Sequence, residues 1–166
     1  QLSHLSTGDL FRYHIDSLTD LGLMAKSYMD KGNLVPDQIT IDMLREAVNE
    51  NIDAKGFIFD GFPRTTAQAN ALDTFLLNKS MRITATIALE ARDDVLIERL
   101  VNRGKTSGRV DDQDKIKIRN GFKEYNNKTA SLKSFYSAQG KFYSVNGIGS
   151  VEEITKRLTG LIDSLL

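Results

Sequence analysis

Several features that mark other protein classes are missing from this sequence. It has no cysteine, which excludes disulfides, thiolate zinc sites and cysteine nucleophiles. No apolar run approaches the ~20 residues of a membrane-spanning helix, and residues 1–5 lack the charged and apolar regions of a signal peptide. The 22 basic and 22 acidic side chains cancel, which argues against a basic groove for nucleic acid. These absences predict a cytoplasmic protein that binds neither nucleic acid nor membrane.

The composition that remains is that of a globular domain. The 166 residues are 40% hydrophobic and 27% charged, which is enough apolar material for a core under an ordinary surface. A chain of this length usually forms one domain. We therefore expect residues 1–166 to fold as a single unit.

Apolar patterns predict strands that alternate with helices. Four short apolar runs are predicted strands, at residues 2–5, 56–60, 84–90 and 142–146. Apolar residues at helical spacing predict three longer helices, at residues 37–52, 112–138 and 151–165. Ser150 and Glu153 form a predicted capping box for the last of these. Strands that alternate with helices indicate βαβ units, and hence an α/β fold with a doubly wound parallel sheet.

Two polar segments that contain glycine are candidate covers over a ligand. Residues 8–35 are predicted to be two short helices with a break near Asp20-Leu21-Gly22. Residues 104–112 are predicted to be a loop between two helices. Ligands of doubly wound folds bind beyond the carboxyl ends of the strands, where such segments can close over them.

The segment Asp60-Gly61-Phe62-Pro63-Arg64 directly follows the second predicted strand. A carboxylate at the end of a parallel strand points into the ligand crevice. Gly61 lets a ligand approach the backbone, and the planar fork of Arg64 suits phosphate oxygens. The alternative is a tight turn with a solvated arginine, and spacing alone does not decide between the two.

A second segment, Ser6-Thr7-Gly8-Asp9 with Arg12, follows the first predicted strand and opens a helix. The free N–H groups at a helix N-terminus attract anions. Arg12 lies three residues after Asp9, on the same side of the predicted helix. Helix capping alone is the commoner explanation of such a pattern.

Four arginines in the second half of the chain could converge on phosphates. Arg99 and Arg103 share one helix face, and Arg109 and Arg119 follow them. Fixed guanidinium groups stabilise the charge of a phosphoryl group in transfer, whereas a solvated helix face is the plainer alternative. The tripeptide Gly104-Lys105-Thr106 is not the end of a phosphate-binding loop, because it follows a predicted helix and lacks the upstream glycine.

In this order, the segments resemble the adenylate kinase family, and in particular its short-lid type. The resemblance spans nearly the whole chain. It rests on a specific combination of motifs, namely Leu5-Ser6-Thr7-Gly8-Asp9-Leu10-Phe11-Arg12, Gly32-Asn33-Leu34-Val35-Pro36-Asp37, Phe59-Asp60-Gly61-Phe62-Pro63-Arg64-Thr65 with Gln68, Arg99 with Arg103-Gly104, Ser107-Gly108-Arg109 with Asp111-Asp112, and Val145-Asn146-Gly147.

The resemblance implies a function and a set of site residues. The implied reaction is reversible phosphoryl transfer between ATP, with Mg²⁺ as cofactor, and AMP, which gives two ADP. The implied AMP site consists of Thr7, Arg12, Asn33, Leu34, Val35, Gly61, Phe62, Arg64, Gln68 and Arg109. The implied ATP site consists of Arg99, Arg103 and Gly149. The implied catalytic residues are Asp60, Arg64, Arg103 and Arg109.

Further roles follow from the same resemblance. Gln68 would read the adenine edge of AMP. Asp60 would act on Mg²⁺ through metal-bound water, with no direct protein ligand to the metal. Residues 8–35 would be the AMP-binding cover and residues 104–112 a short lid without zinc. The implied protein is a monomer whose partners are soluble nucleotides.

Two features depart from the family pattern. The family begins with a strand, a glycine-rich phosphate loop with its lysine, and a helix, and this chain starts just after them. The family also has an arginine four residues before the tyrosine that matches Tyr125, where this sequence has Gly121. Arg119 lies nearby, on a different helix face. We therefore expect these 166 residues by themselves to be inactive.

Two other functions remain open at this point. A UMP/CMP kinase shares the motif from Asp60 to Arg64, although Thr7 favours adenine because the pyrimidine enzymes usually carry alanine there. A non-catalytic nucleotide-binding fragment is the alternative from another class, and the departures above favour it.

Overall fold

The computed structural model describes residues 2–29, 35–107 and 115–165. Within them, the strands are β1 (Ser3–Ser6), β2 (Phe57–Asp60), β3 (Thr86–Glu90) and β4 (Phe142–Asn146). The helices are α1 (Thr7–Asp16), α2 (Asp20–Met29), α3 (Asp37–Glu50), α4 (Thr66–Leu77), α5 (Asp93–Ser107), α6 (Lys115–Ser137) and α7 (Val151–Leu165). The chain divides into two compact units, residues 1–82 and residues 83–166.

Each unit contains one pair of parallel strands. In the first unit β1 pairs with β2, so that Ser6 lies opposite Asp60. In the second unit β3 pairs with β4, so that Glu90 lies opposite Asn146. Because parallel strands point the same way, the segments that follow each pair begin side by side. The predicted α/β class with parallel strands is confirmed.

The core of the first unit lies among its helices. Ala25, Ile39 and Met43 form a buried cluster that joins α2 to α3. The partly buried side chains that pack against this cluster are Phe11, Leu21 and Val35. The apolar spacing that predicted α3 therefore corresponds to its buried face.

The second unit buries fewer of its described side chains. Its buried hydrophobic residues are Ile118, Leu132, Tyr136 and Val145. The apolar stripe of α7 is only half-buried, and Val151, which begins it, is 77% exposed. The capping box predicted for this helix is present, because Ser150 N donates to Glu153 Oε2 at 2.8 Å and Glu153 N donates to Ser150 Oγ at 3.3 Å.

The predicted break inside residues 8–35 was wrong in position. The break lies at residues 17–19, and Gly22 belongs to α2. A Cβ on Gly22 would lie 2.0 Å from the backbone oxygen of His14. Gly22 therefore lets α1 and α2 pack backbone to backbone, and it does not break the helix.

The predicted lid loop also needs correction at its start. Residues 104–107 are the last residues of α5 rather than loop, and Gly104 is buried there. The rest of the predicted lid, residues 108–112, lies outside the described residues. Of the helices that the structure describes, none combines the length and apolar character needed to cross a membrane.

Candidate active site

The junction of β1 and α1 places Thr7 beside the end of β2. Ser6 has an extended backbone and caps α1, since its Oγ accepts a hydrogen bond from Asp9 N at 3.5 Å. Thr7 is buried, and its Oγ1 donates to the backbone oxygen of Asp60 at 3.3 Å. The residue that opens α1 therefore contacts the backbone at the end of β2.

The turn after β2 requires glycine. Gly61 has φ of 74°, a conformation that side chains with a Cβ rarely adopt. A Cβ there would also lie 2.9 Å from Thr7 Oγ1 and 3.3 Å from Arg64 Nη2. Arg64 folds back over the turn and donates from Nε to the backbone oxygen of Gly61 at 2.8 Å. Phe62, also predicted as a site residue, is buried, and its bond to Pro63 is cis.

Gln68 is buried at the start of α4, and both ends of its side-chain amide are hydrogen-bonded. Its Oε1 accepts from the backbone N–H of Arg64 at 2.7 Å. Its Nε2 donates to Asp37 Oδ1 at 2.7 Å. The hydroxyl of Thr65 donates to Asp37 Oδ2 at 3.0 Å and caps α4 by accepting from Gln68 N at 3.1 Å. Asp37 thus links α3 to the start of α4.

Asp60 is an exposed carboxylate at the end of β2, and its Oδ2 lies 3.5 Å from His4 Nε2. Within residues 2–29, 35–107 and 115–165, no three metal-binding side chains cluster. One exposed carboxylate nevertheless suits Mg²⁺, which keeps most of its water and takes its other ligands from phosphates. The residues present therefore fit the water-mediated magnesium role that the resemblance implies.

The remaining AMP-site candidates of the first unit fall within residues 8–35, the predicted cover. Arg12 Nη2 pairs with Asp9 Oδ1 on the exposed face of α1. Val35 packs against the buried cluster described above. Asn33 and Leu34 lie outside the described residues, as does Arg109 of the predicted lid.

In the second unit, two arginines hold the loop that follows β4. Arg99 on α5 donates from Nη1 to Gly147 O at 2.7 Å and from Nη2 to Gly149 O at 3.2 Å. Arg157 on α7 donates from Nη1 to the backbone oxygens of Asn146 at 2.9 Å and Ile148 at 2.7 Å. Carbonyl groups of residues 146–149 therefore accept hydrogen bonds from two guanidinium groups.

The start of α7 is polar and favours negative charge. Glu152 is fully exposed, and hydrogen bonds from its own backbone N–H and from Ser150 hold the pKa of its carboxyl below the ordinary 4.5. Gly149, just before this helix, has φ of 133°, which again favours glycine.

The predicted arginine set is brought together only in part. Arg103 lies one turn after Arg99 in α5, so the two share a helix face. Arg119 lies exposed on α6, and Gly121 lies within the same helix.

Sequence reasoning missed three residues of these networks. Asp37 was interpreted only as a helix start, and Arg157 and His4 were assigned no role. Each makes a contact with a residue distant in the sequence, at separations from 9 residues for Arg157 and Ile148 to 56 for His4 and Asp60. One signal, Pro36-Asp37, could have pointed to Asp37. A carboxylate in the first helical turn that does not cap its own helix can bind a residue elsewhere.

Comparison with known proteins identifies a consistent set of relatives. The family model described as adenylate kinase matches residues 1–141. The adenylate kinase of Flavobacterium psychrophilum is 62% identical over 164 residues, which are 99% of this chain and 86% of that protein. The adenylate kinases of Flavobacterium johnsoniae and Bacteroides fragilis are 55% and 40% identical, with the same coverage of both chains.

Proposed function

Because this chain belongs to the adenylate kinase family of phosphotransferases, we propose that it transfers a phosphoryl group reversibly between ATP, as its Mg²⁺ complex, and AMP, giving two ADP. The observation that carries the proposal is the set of hydrogen bonds at the turn after β2. Thr7 donates to the Asp60 backbone, the Arg64 side chain donates to the Gly61 backbone, and the Arg64 backbone donates to Gln68. The turn combines a donor set for a phosphate with a buried amide that can read a base.

The AMP site is proposed at the end of β2. The Arg64 guanidinium would bind the phosphate, because its planar fork matches phosphate oxygens. Thr7 and the backbone at Gly61 would contact the nucleotide. A residue larger than glycine at position 61 would block the approach of the nucleotide. Arg12 and residues 33–35 of the cover, with Phe62, complete the proposed set.

The ATP site is proposed around the loop after β4. Arg99, Arg103 and the backbone of Gly149 would contact ATP, and the hydrogen bonds of Arg99 and Arg157 would hold the loop in place. A loop fixed before binding costs the ligand less ordering entropy.

Catalysis in this proposal is positioning and charge stabilisation. Arg64, Arg103 and Arg109 would neutralise the charge that spreads over the phosphoryl oxygens. Mg²⁺, when bound, neutralises phosphate charge, and Asp60 would hold it through its water shell. No strong base is required, because the attacking phosphate oxygen of AMP already carries negative charge. Monomeric state and cytoplasmic location are proposed from the family resemblance alone.

The test measures phosphoryl transfer from ATP with Mg²⁺ to AMP, CMP and UMP by the intact protein. Transfer to AMP in clear preference is expected. A preference for CMP or UMP would identify a pyrimidine enzyme, and AMP binding without transfer would identify a non-catalytic nucleotide-binding protein.

A matched pair of variants assigns the activity to this site. Arg64→Met is expected to reduce kcat by about 10³-fold, the order seen when one transition-state arginine is lost. Arg45→Met removes an arginine of the same unit that pairs with Asp42 on α3 instead. Equal effects of the two substitutions would show that Arg64 acts only through stability.

A further inference from the structure

The buried amide of Gln68 is held in one of two possible orientations. The two ends of a glutamine amide have nearly the same shape, so hydrogen-bond partners decide which end is oxygen. An ionised carboxylate only accepts hydrogen bonds, and a backbone N–H only donates them. The Asp37 carboxylate therefore selects the NH₂ end, and the Arg64 N–H selects the oxygen end. A reversed amide would place oxygen against carboxylate and NH₂ against N–H.

Counting the contacts of the described residues, each end of this amide keeps one further hydrogen-bonding position. The amide oxygen has two lone pairs, of which Arg64 N–H occupies one, and the NH₂ group has two hydrogens, of which Asp37 takes one. The free pair is an acceptor beside a donor. Adenine offers the complement, since its 6-amino group donates and its N1 accepts. A 6-oxopurine offers the reverse, an accepting oxygen and a donating N1–H.

Asp37 is well placed to select the orientation. It is the first residue of α3, after the N-cap Pro36, and both of its carboxylate oxygens contact the start of α4. Oδ2 accepts from the Thr65 hydroxyl at 3.0 Å while Oδ1 accepts from Gln68 at 2.7 Å. The half-buried carboxylate is thereby fixed from two sides, and Gln68 is only 7% exposed.

We propose that Asp37 is a specificity-determining positioning residue, which fixes the Gln68 amide so that the site accepts a 6-aminopurine monophosphate and rejects a 6-oxopurine monophosphate. This inference rests on the proposed role of Gln68 in reading the base of AMP. Asp37 itself does not touch the nucleotide.

The test compares calorimetric dissociation constants for AMP and inosine 5′-monophosphate. In Asp37→Asn the new amide can donate or accept, so it no longer selects one orientation of Gln68. The ratio of the dissociation constant for inosine 5′-monophosphate to that for AMP is expected to fall about tenfold. This is the size of effect expected for one hydrogen bond to a charged group. Asp42→Asn is the matched control, because Asp42 lies on the same helix and accepts from Gln38 and Arg45. It should leave the ratio unchanged.

A second pair of variants separates this inference from the proposed function. Asp37→Ser also removes the charge, and it provides the measurement if thermal melting shows that Asp37→Asn is unfolded. Gln68→Ala should abolish the discrimination. If Gln68→Ala does so and both Asp37 variants keep the ratio, the inference is overturned and the AMP site stands. If Gln68→Ala leaves the ratio unchanged, the base-reading role fails, and the inference fails with it.

Discussion

Residues 2–82 and residues 83–165 each contain one pair of parallel strands, but they hold the loops beyond those strands differently. The first unit combines hydrogen bonds of Thr7, Arg64 and Gln68 to the backbone of the turn after β2 with contacts between side chains, which Asp37 makes to Gln68 and Thr65. Thr7 and Gln68 are 5% and 7% exposed. In the second unit, the exposed guanidinium groups of Arg99 and Arg157 hold backbone carbonyls of the loop after β4.

The difference affects which groups each unit can present to a ligand. Buried contacts between side chains fix the direction of functional groups, and such fixed groups can discriminate between similar ligands. Guanidinium contacts to carbonyls fix only the path of a loop, which suits recognition by backbone atoms. The contacts of Asp37 with Gln68 and Thr65 therefore suit the discrimination proposed for the first unit, whereas the arginines of the second unit fix the path of a loop.

The largest expected difference between the units is in helix packing. Gly22→Ala would drive a Cβ to 2.0 Å from His14 O, and we expect it to lower the free energy of unfolding by about 3 kcal/mol or more. Gly160→Ala in α7 meets nothing within 4 Å and should raise it by about 0.5–1 kcal/mol, because alanine favours the helix. Urea denaturation measures both, and equal midpoints would refute the close packing of α1 against α2.

A smaller effect is expected at the turn after β2. Gly61→Ala combines a positive φ with crowding by Thr7 and Arg64. We expect AMP affinity to fall by about 1–3 kcal/mol, or roughly ten- to a hundredfold. Gly140 has a similar φ of 67° with open space around it. Gly140→Ala therefore tests strain without crowding, and a loss of AMP affinity there would contradict a local effect at Gly61.

A still smaller effect is expected for the loop of the second unit. Arg157→Gln removes charged donors to Asn146 O and Ile148 O. Because the position is exposed, we expect the loop contact to lose only about 0.5–1 kcal/mol of stabilisation. Amide exchange in residues 146–149 should become faster and ATP binding severalfold weaker, while AMP binding should stay unchanged. Lys156→Gln removes the same charge from the adjacent position. If Lys156→Gln weakens ATP binding as much as Arg157→Gln does, net charge rather than the loop contact is responsible.

The smallest expected effect is the pH dependence of α7. Because the pKa of Glu152 is lower in the folded chain than its ordinary 4.5, the ionised carboxylate stabilises the fold above that pH. The contribution is lost as the pH falls through the lowered value. Glu152→Gln should therefore melt slightly lower than the parent at pH 7, and the difference should shrink as the pH falls through the lowered pKa. A gap that widens on acidification would reverse the sign of this effect.

The elements themselves were largely predictable from the sequence, because local patterns carry them. The spacing of Ile41, Leu44 and Val48 predicted α3, whose face is buried. The pair of Ser150 and Glu153 predicted the start of α7, and the capping box is there. Gly22 misled the prediction, because glycine both breaks helices and permits close packing, and only the neighbouring helix distinguishes the two.

For the candidate site, the sequence offers candidate residues but not the contacts among them. The motif from Asp60 to Arg64 marked the turn, and the structure joins it to Thr7 and Gln68. The contact from Asp37 to Gln68 spans 31 positions, and no local pattern encodes such a pairing. Arg157 was hidden in the same way, because an exposed arginine on a helix is usually solvated.

The packing of α1 against α2 at Gly22 also has a mechanical meaning. Two helices whose backbones touch can neither slide nor rock against each other without collision, since the gap at His14 O leaves no room even for a methyl group. Helices α1 and α2 should therefore move together as one rigid body.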